Sequence, residues 1–236
     1  MLAADTKDET LEIFQDNEKD AIVVHVIFAL ICAMVLLFPL KQATGVRIMA
    51  LVIIYNLMVP LWGLFRRDRE WLNLWLFSFI LSLLMVFPDW FLSKYLDVLV
   101  FPHDGLFKIG TVSAYMAGLW TIPVFIIVFI GERMYIRYSS KAAYAAASLA
   151  SFIIFTLSDQ LFRFLPAWYS QNVNMIGHVP VYIIVPKILF GLTAYFAYQY
   201  TSKLSNWYKF PAASLVMQLY LGSAVFFYFL VELKFF

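Results

Sequence analysis

Asp89, Asp159 and Lys187 are ionisable residues inside apolar runs of this 236-residue chain. Asp89 lies between Pro88 and Trp90. Asp159 follows the run Phe152-Ile153-Ile154-Phe155. Lys187 sits within Ile183-Ile184-Val185-Pro186-Lys187-Ile188-Leu189-Phe190. An ionisable group in such surroundings costs at least ~2.5 kcal/mol on membrane-insertion scales, so each demands a reason. A carboxyl beside an indole, half withdrawn from water, can deliver a proton to an apolar substrate; equally, Asp after Pro is a common turn former. Lys187 lies seven residues past Pro180 and Asp159 seven residues before Pro166. At 1.5 Å per residue both are ~10 Å deep on antiparallel neighbours. That predicts an Asp159–Lys187 pair, which either fixes helix register or places a site residue beside its orienting partner. Lys187 extending alone toward the polar boundary is the third reading.

The elements that carry these residues follow from composition. Apolar residues make up 63% and charged residues 14%, against roughly 45–50% and 25% in soluble domains. That excludes an ordinary soluble domain and excludes disorder. Seven apolar spans, at about 21–40, 47–65, 71–92, 112–131, 142–165, 179–200 and 211–232, are each near the length that crosses ~30 Å of hydrocarbon. The alternation of barrel strands is absent. The expected class is therefore all-α: a polytopic seven-transmembrane-helix bundle over 21–236, preceded by an acidic surface segment over 1–20 in which Leu11–Phe14 reads as a short helix. The acidic start is the reverse of a secretory signal, so no cleavage is expected. Ala143, Ala147 and Ser151 form a small-residue stripe suited to close helix packing.

Counting Lys and Arg in the flanks gives orientation. One side holds Lys7, Lys19, Arg66, Arg67, Arg69, Arg133, Arg137, Lys141, Lys203 and Lys209; the other holds Lys41, Arg47, Lys94, Lys108, Arg163 and Lys234. The first set predicts a cytoplasmic N-terminus and a non-cytoplasmic C-terminus. The two longest links, about 93–111 and 166–178, then share the non-cytoplasmic face. His103, Asp104, Arg163 and His178 belong to that face, as solvated loop residues or as a polar mouth. Glu132 and Arg133, at the opposite face, read as a solvated pair.

The two long hairpins echo each other. Pro88-Asp89-Trp90-Phe91 precedes Ile109-Gly110-Thr111-Val112-Ser113-Ala114-Tyr115, and Pro166-Ala167-Trp168-Tyr169 precedes Ile176-Gly177-His178-Val179-Pro180-Val181-Tyr182. Both read P-x-W-[FY], link, I-G-x-V-x-x-Y. Either a helix hairpin has been duplicated, or the common grammar of helix ends wrote both copies, since Pro breaks a helix, Trp and Tyr favour the interface and Gly precedes a helix start; Pro166 is expected to end the fifth span.

These motifs resemble the three-helix lycopene cyclase domains of fungi and some bacteria, where a helix ending in a Trp-Asp pair leads into an I-G-x-V-P-type start followed by glutamates. Asp89-Trp90 with Ile109-Gly110-Thr111-Val112 is similar to one such unit. Asp159 with Ile176-Gly177-His178-Val179-Pro180 is similar to a second. Length and helix number are also similar to the small integral-membrane terpene cyclases. The resemblance covers about 85–190. Tyr115 and Met116, and Tyr182 and Ile183, stand where the family carries glutamates, and the units are two helices apart where the family's are three. It implies an enzyme that protonates an apolar isoprenoid or carotenoid, as a cyclase or isomerase does.

On that reading Asp89 or Asp159 is the acid and Lys187 tunes or orients it. Trp90, Tyr115, Trp120, Arg163, His178 and Tyr182 line the substrate site, and the aromatic walls, with Phe190 and Tyr195, shield a cation. Helix packing is the plain alternative for each ring. The other reading is a non-enzymatic membrane subunit, or a lipid- or pigment-binding protein within a larger complex. Phosphate loops, nucleophile elbows, Asp-rich diphosphate motifs and zinc spacings are absent, so no metal or cofactor is expected. No basic cluster suggests nucleic acid. The expected ligand is a membrane lipid or isoprenoid. Lone Cys32 reads as a packing residue. A retinal protein fits poorly, since Lys187 falls in the sixth span. A transporter fits poorly because the polar residues gather toward one face.

Overall fold

The computed structural model describes residues 2–38, 41–161, 165 and 167–233, with side chains from residue 17 onward. It divides into two compact units, residues 1–41 and 42–236. The first is one helix, α1 (Leu2–Leu37). It runs unbroken through the acidic stretch expected to be a separate segment, because no Pro or Gly interrupts it and Glu, Lys and Ala are good helix formers.

The second unit begins with α2 (Thr44–Arg66) and α3 (Arg69–Lys94). The turn between them is tight. Arg67 adopts a left-handed conformation, and the Asp68 side chain caps α3 by accepting from the Trp71 N–H at 3.1 Å. Then come β1 (Leu99–Val100), β2 (Lys108–Ile109), β3 (Val112–Ser113), α4 (Met116–Leu119) and α5 (Thr121–Arg137). α6 (Ser140–Leu161) leads to β4 (Tyr169–Ser170), β5 (Met175–Ile176), β6 (Val179–Pro180) and a 3-10 turn (Val181–Ile183). After it follow α7 (Ile184–Thr201), a second 3-10 turn (Asn206–Tyr208) and α8 (Lys209–Glu232).

Seven described helices are long and apolar enough to cross a membrane: Asn17–Leu37, Thr44–Arg66, Arg69–Lys94, Met116–Arg137, Ser140–Leu161, Val181–Thr201 and Asn206–Glu232. Each overlaps an expected span. Five of them close a ring in which α3 packs on α5, α5 on α6, α6 on α7, α7 on α8 and α8 back on α3, with α2 against the outside of α3. The small-residue stripe works as expected. Ala143, Ala147 and Ser151 are fully buried, and a Cβ on Gly191 of α7 would come within 2.4 Å of the Ala147 carbonyl.

Pro88 falls within the third span, as the bounds 71–92 expected. It lies inside α3, which continues to Lys94. A proline removes one hydrogen bond and kinks a helix, but packed neighbours allow the helix to resume. Asp89 is consequently a buried helical residue and not a turn former. Pro166, expected to end the fifth span, lies outside the described residues; α6 ends at Leu161.

The two long links carry short strands that the all-α expectation lacked. β1 pairs antiparallel with β4 and ties the links together, Leu99 opposite Ser170. β2–β3 turns at Gly110-Thr111 and β5–β6 at Gly177-His178. Both glycines have φ +65°, and neither following residue is positive. That is the type II′ hairpin turn, which requires Gly first.

Candidate functional site

The centre of the ring sets a carboxyl among aromatic rings. Asp89 of α3 is 3% exposed, and its Oδ2 accepts from the Trp120 indole Nε1 at 3.0 Å. Trp120 joins α4 to α5. Its ring meets Phe155 of α6 at 4.9 Å, Phe190 of α7 at 5.5 Å and Tyr220 of α8 at 5.8 Å. Each helix of the ring thus contributes one residue. Tilted and edge-on rings satisfy their quadrupoles, which favours this box over stacked faces.

Asp159 of α6 and Lys187 of α7 form the expected ion pair, with the lysine side chain 6% exposed and the aspartate 19%. Equal depth does not bring them together. Ser151 Oγ donates to the Lys187 carbonyl at 2.6 Å, and that carbonyl points toward the C-terminus of α7 where Gly191 packs on Ala147 and Ser151, so the lysine backbone lies between one and two turns from the level of Asp159. The side chain spans that offset, because helical side chains lean toward their own N-terminus. For α7 that end faces the hairpins, where Asp159 sits.

The two pairs stand at the same spacing from their hairpin turns. Trp120 follows Gly110 by ten residues, and Lys187 follows Gly177 by the same ten. A Cβ on Gly110 would fall 2.6 Å from Trp90, and one on Gly177 2.6 Å from Gln160. In both units, then, the residue after the aspartate covers the turn glycine. The equivalence runs Asp89-Trp90 to Asp159-Gln160, and not Pro88–Phe91 to Pro166–Tyr169. Ala167 of the latter segment instead gives its carbonyl to the Tyr115 hydroxyl at 2.8 Å.

The other expected site residues divide. Tyr115 is fully buried and cross-links the two long links. Burial pushes its phenol above the usual range, which keeps it a donor. Tyr182 is buried edge-on to Tyr228 at 5.6 Å. Trp90 packs on the first hairpin and on Tyr95 at 5.1 Å, outside the box. His178 is an exposed turn residue and His103 an exposed loop residue. Arg163 lies outside the described residues. Asp104 is buried against Gly45 of α2, whose N–H donates to its carbonyl at 2.9 Å, and its carboxylate accepts from Ser113 Oγ at 2.5 Å and the Leu106 N–H at 3.0 Å.

Tyr195 belongs to a separate polar cluster at the far end. There Gln199 donates to its hydroxyl at 2.6 Å, beside Glu132. The expected solvated Glu132–Arg133 pair is not formed. Arg133 is 8% exposed and pairs with Glu70 at 2.6 Å, because adjacent residues on a helix point apart whereas α3 and α5 face each other. Sequence reasoning missed Phe155 and Tyr220. Phe155 precedes Asp159 by one turn and was legible; Tyr220 had no local signal. Among the described residues no His, Cys, Asp or Glu group has the geometry of a metal site.

The pair predicts a stability pattern. Lys187→Met leaves Asp159 without its cation, and breaking a buried pair costs about 3–5 kcal/mol. Thermal unfolding in detergent should show a lowered Tm, with most of the loss recovered when Asp159→Asn is added. Single variants as stable as the parent would mean the two side chains do not meet.

Compared with known proteins, the chain matches no curated sequence and no solved structure. One family, described as a domain of unknown function (DUF6989), matches residues 86–231. That stretch begins just before Asp89 and contains both hairpins, both donor–aspartate pairs and the whole aromatic box. The chain belongs to the DUF6989 family.

Proposed function

We propose that this chain is an integral-membrane protein that isomerises or cyclises an apolar isoprenoid- or carotenoid-like lipid by acid catalysis. The observation that carries the reading is Asp89: a buried carboxyl whose hydrogen-bond donor is a neutral indole, set in a box of four aromatic rings. An ionised carboxyl without a cation is the costly state in a low-dielectric interior. Asp159 meets Lys187; Asp89 meets Trp120. Asp89 is therefore the proton donor, and Asp159–Lys187 is the positioning pair.

The step balances without a co-reactant. The Asp89 proton adds to a substrate alkene, the π electrons form the new C–H bond, and a carbocation remains. Ring faces of Trp120, Phe155, Phe190 and Tyr220 stabilise it. A neighbouring alkene closes a ring, or the cation simply loses a different proton. The Asp89 carboxylate takes that proton back, so the product is an isomer of the substrate.

Membrane residence is supported by the exposed apolar faces, including Leu57 and Leu61 of α2, Leu149 and Leu157 of α6, and Leu215 and Phe226 of α8. Soluble monomers rarely expose such contiguous surface. The Lys and Arg distribution supports a cytoplasmic N-terminus. A reporter fused after Glu232 should then report the non-cytoplasmic side, and a cytoplasmic signal would reverse the orientation.

One observation favours a second reading, a non-catalytic lipid- or pigment-binding subunit: the four rings are in mutual contact and fill the space between them. Expression in hosts making linear carotenoids or prenyl alcohols separates the two. The enzyme should give a new isomer by chromatography, and Asp89→Asn should lower its yield by roughly 100-fold or more. An unchanged product profile across substrate classes, with ligand or protein co-purifying in mild detergent, would favour the subunit.

A further inference from the structure

The fourth span is broken at the residue that meets Asp89. α4 ends at Leu119 and α5 begins at Thr121, with Trp120 between them. Pro123 has no N–H to give the Leu119 carbonyl one turn back. Two neighbouring carbonyls of α4 are met by side chains instead. Ser82 Oγ of α3 donates to Ala117 at 3.3 Å, and Asn56 Nδ2 of α2 donates to Gly118 at 3.1 Å.

Three buried polar atoms from three helices face this break: Asn56 Oδ1, Ser78 Oγ and Thr121 Oγ1. None has a hydrogen-bond partner among the described residues. Ser78 and Thr121 are completely buried. Two contacts between α3 and the fourth span fix their level. Ser82 meets Ala117 on one side, and Trp71 packs edge-on against Phe125 at 5.0 Å on the other. Ser78 lies one turn from Ser82, and Thr121 one turn from Ala117, both toward the Trp71–Phe125 contact. The antiparallel helices therefore bring the two hydroxyls level. The Asn56 amide reaches the same place from α2, since it bonds Gly118, three residues before Thr121. Elsewhere in the chain a helical hydroxyl bonds one turn back, as Ser158, Thr193 and Thr201 do at 2.8 Å. Ser78 and Thr121 do not, and the carbonyl one turn before Thr121 is the one that Ser82 meets.

We infer that an internal water molecule bridges Asn56 Oδ1, Ser78 Oγ and Thr121 Oγ1, and that this site fixes the break from which Trp120 reaches Asp89. Chemistry and room choose the occupant. Asn56 Oδ1 only accepts, so it needs a donor, whereas each hydroxyl serves as donor or acceptor. Water supplies two protons and two lone pairs, and buried waters typically make about three such bonds. Three neutral oxygens would leave the charge of a cation uncompensated. A larger ligand has no room, because a Cβ on Gly118 would fall 2.6 Å from Val52 and 3.2 Å from the Asn56 amide nitrogen. The site follows from hydrogen bonding alone and goes beyond the acid-catalysis reading without resting on it. Asn56, Ser78 and Thr121 are then positioning residues for Trp120.

The test is a double-mutant cycle on the full-length protein in lipid nanodiscs, read by thermal unfolding and by NMR. Ser78→Ala and Thr121→Val each remove one partner of the water and strand the others. Each should lower Tm by about 2–4 °C, and the double variant should lose clearly less than the sum of the two. Magnetisation transferred selectively from water should reach the Asn56 side-chain amide and the Thr121 backbone N–H. It should not reach the N–H groups of Ile127 and Val128, which are as deeply buried on the same helix. The signal at Asn56 should vanish in the double variant. Thr121→Val should shift the Trp120 indole resonance, and Thr121→Ser, which keeps the hydroxyl, should restore it. Single variants as stable as the parent or more stable, strictly additive losses, or no transfer at Asn56 would each overturn the water. A Tm that falls when sodium is replaced by choline would put a cation in its place. A Trp120 resonance indifferent to Thr121→Val would overturn the positioning role.

Discussion

A carboxyl in an apolar interior must find a donor, and the helices of the second unit are arranged so that two of them do. Asp89 and Asp159 each sit near the hairpin end of a helix, and each is met by a long side chain from the next helix in sequence. The reach matters as much as the partner. Lys187 starts between one and two turns away and extends toward the N-terminus of α7. Close packing of Ala147 and Ser151 against Gly191 holds the two backbones near enough for that reach to suffice. The II′ turns at Gly110 and Gly177 then set where each following helix begins, and hence where its donor falls ten residues later.

The two units share geometry but differ in charge. One closes with a lysine and is an ion pair; the other closes with an indole and leaves the carboxyl facing only neutral groups. A structural repeat needs no such difference. In one unit a ring stands where the other has a cation, and that ring sits where Phe155, Phe190 and Tyr220 converge. The hydroxyl of Tyr115 and the β1–β4 pairing tie the two links together, so neither hairpin can move without the other.

Much of this was legible in the sequence, for physical reasons. Spans of about twenty apolar residues can satisfy their backbone only as helices, so all seven could be placed. The Asp159–Lys187 pair was legible because charges in apolar runs are rare, although the depth argument that paired them assumed level backbones and a helix end at Pro166. The Asp89–Trp120 bond was not legible, because an indole in an aromatic-rich chain carries no signal of its own. The choice between Pro166 and Asp159 as the second unit's anchor was hidden for a similar reason. Trp168 matched Trp90 by letter, while Gln160 occupies its place in space. Asp104 and Glu70–Arg133 depended on long-range packing that local spacing cannot report.

The most direct measurement is the indole ¹⁵N–¹H spectrum of the protein in lipid nanodiscs, with Trp120 assigned by Trp120→Phe. A Trp120 N–H bonded to Asp89 inside the ring should be shifted downfield, exchange far more slowly with deuterated water than that of Trp207, which is 87% exposed, and move when Asp89 is replaced by Ala. A Trp120 indole that exchanges as fast as Trp207 and ignores Asp89→Ala would contradict the central site.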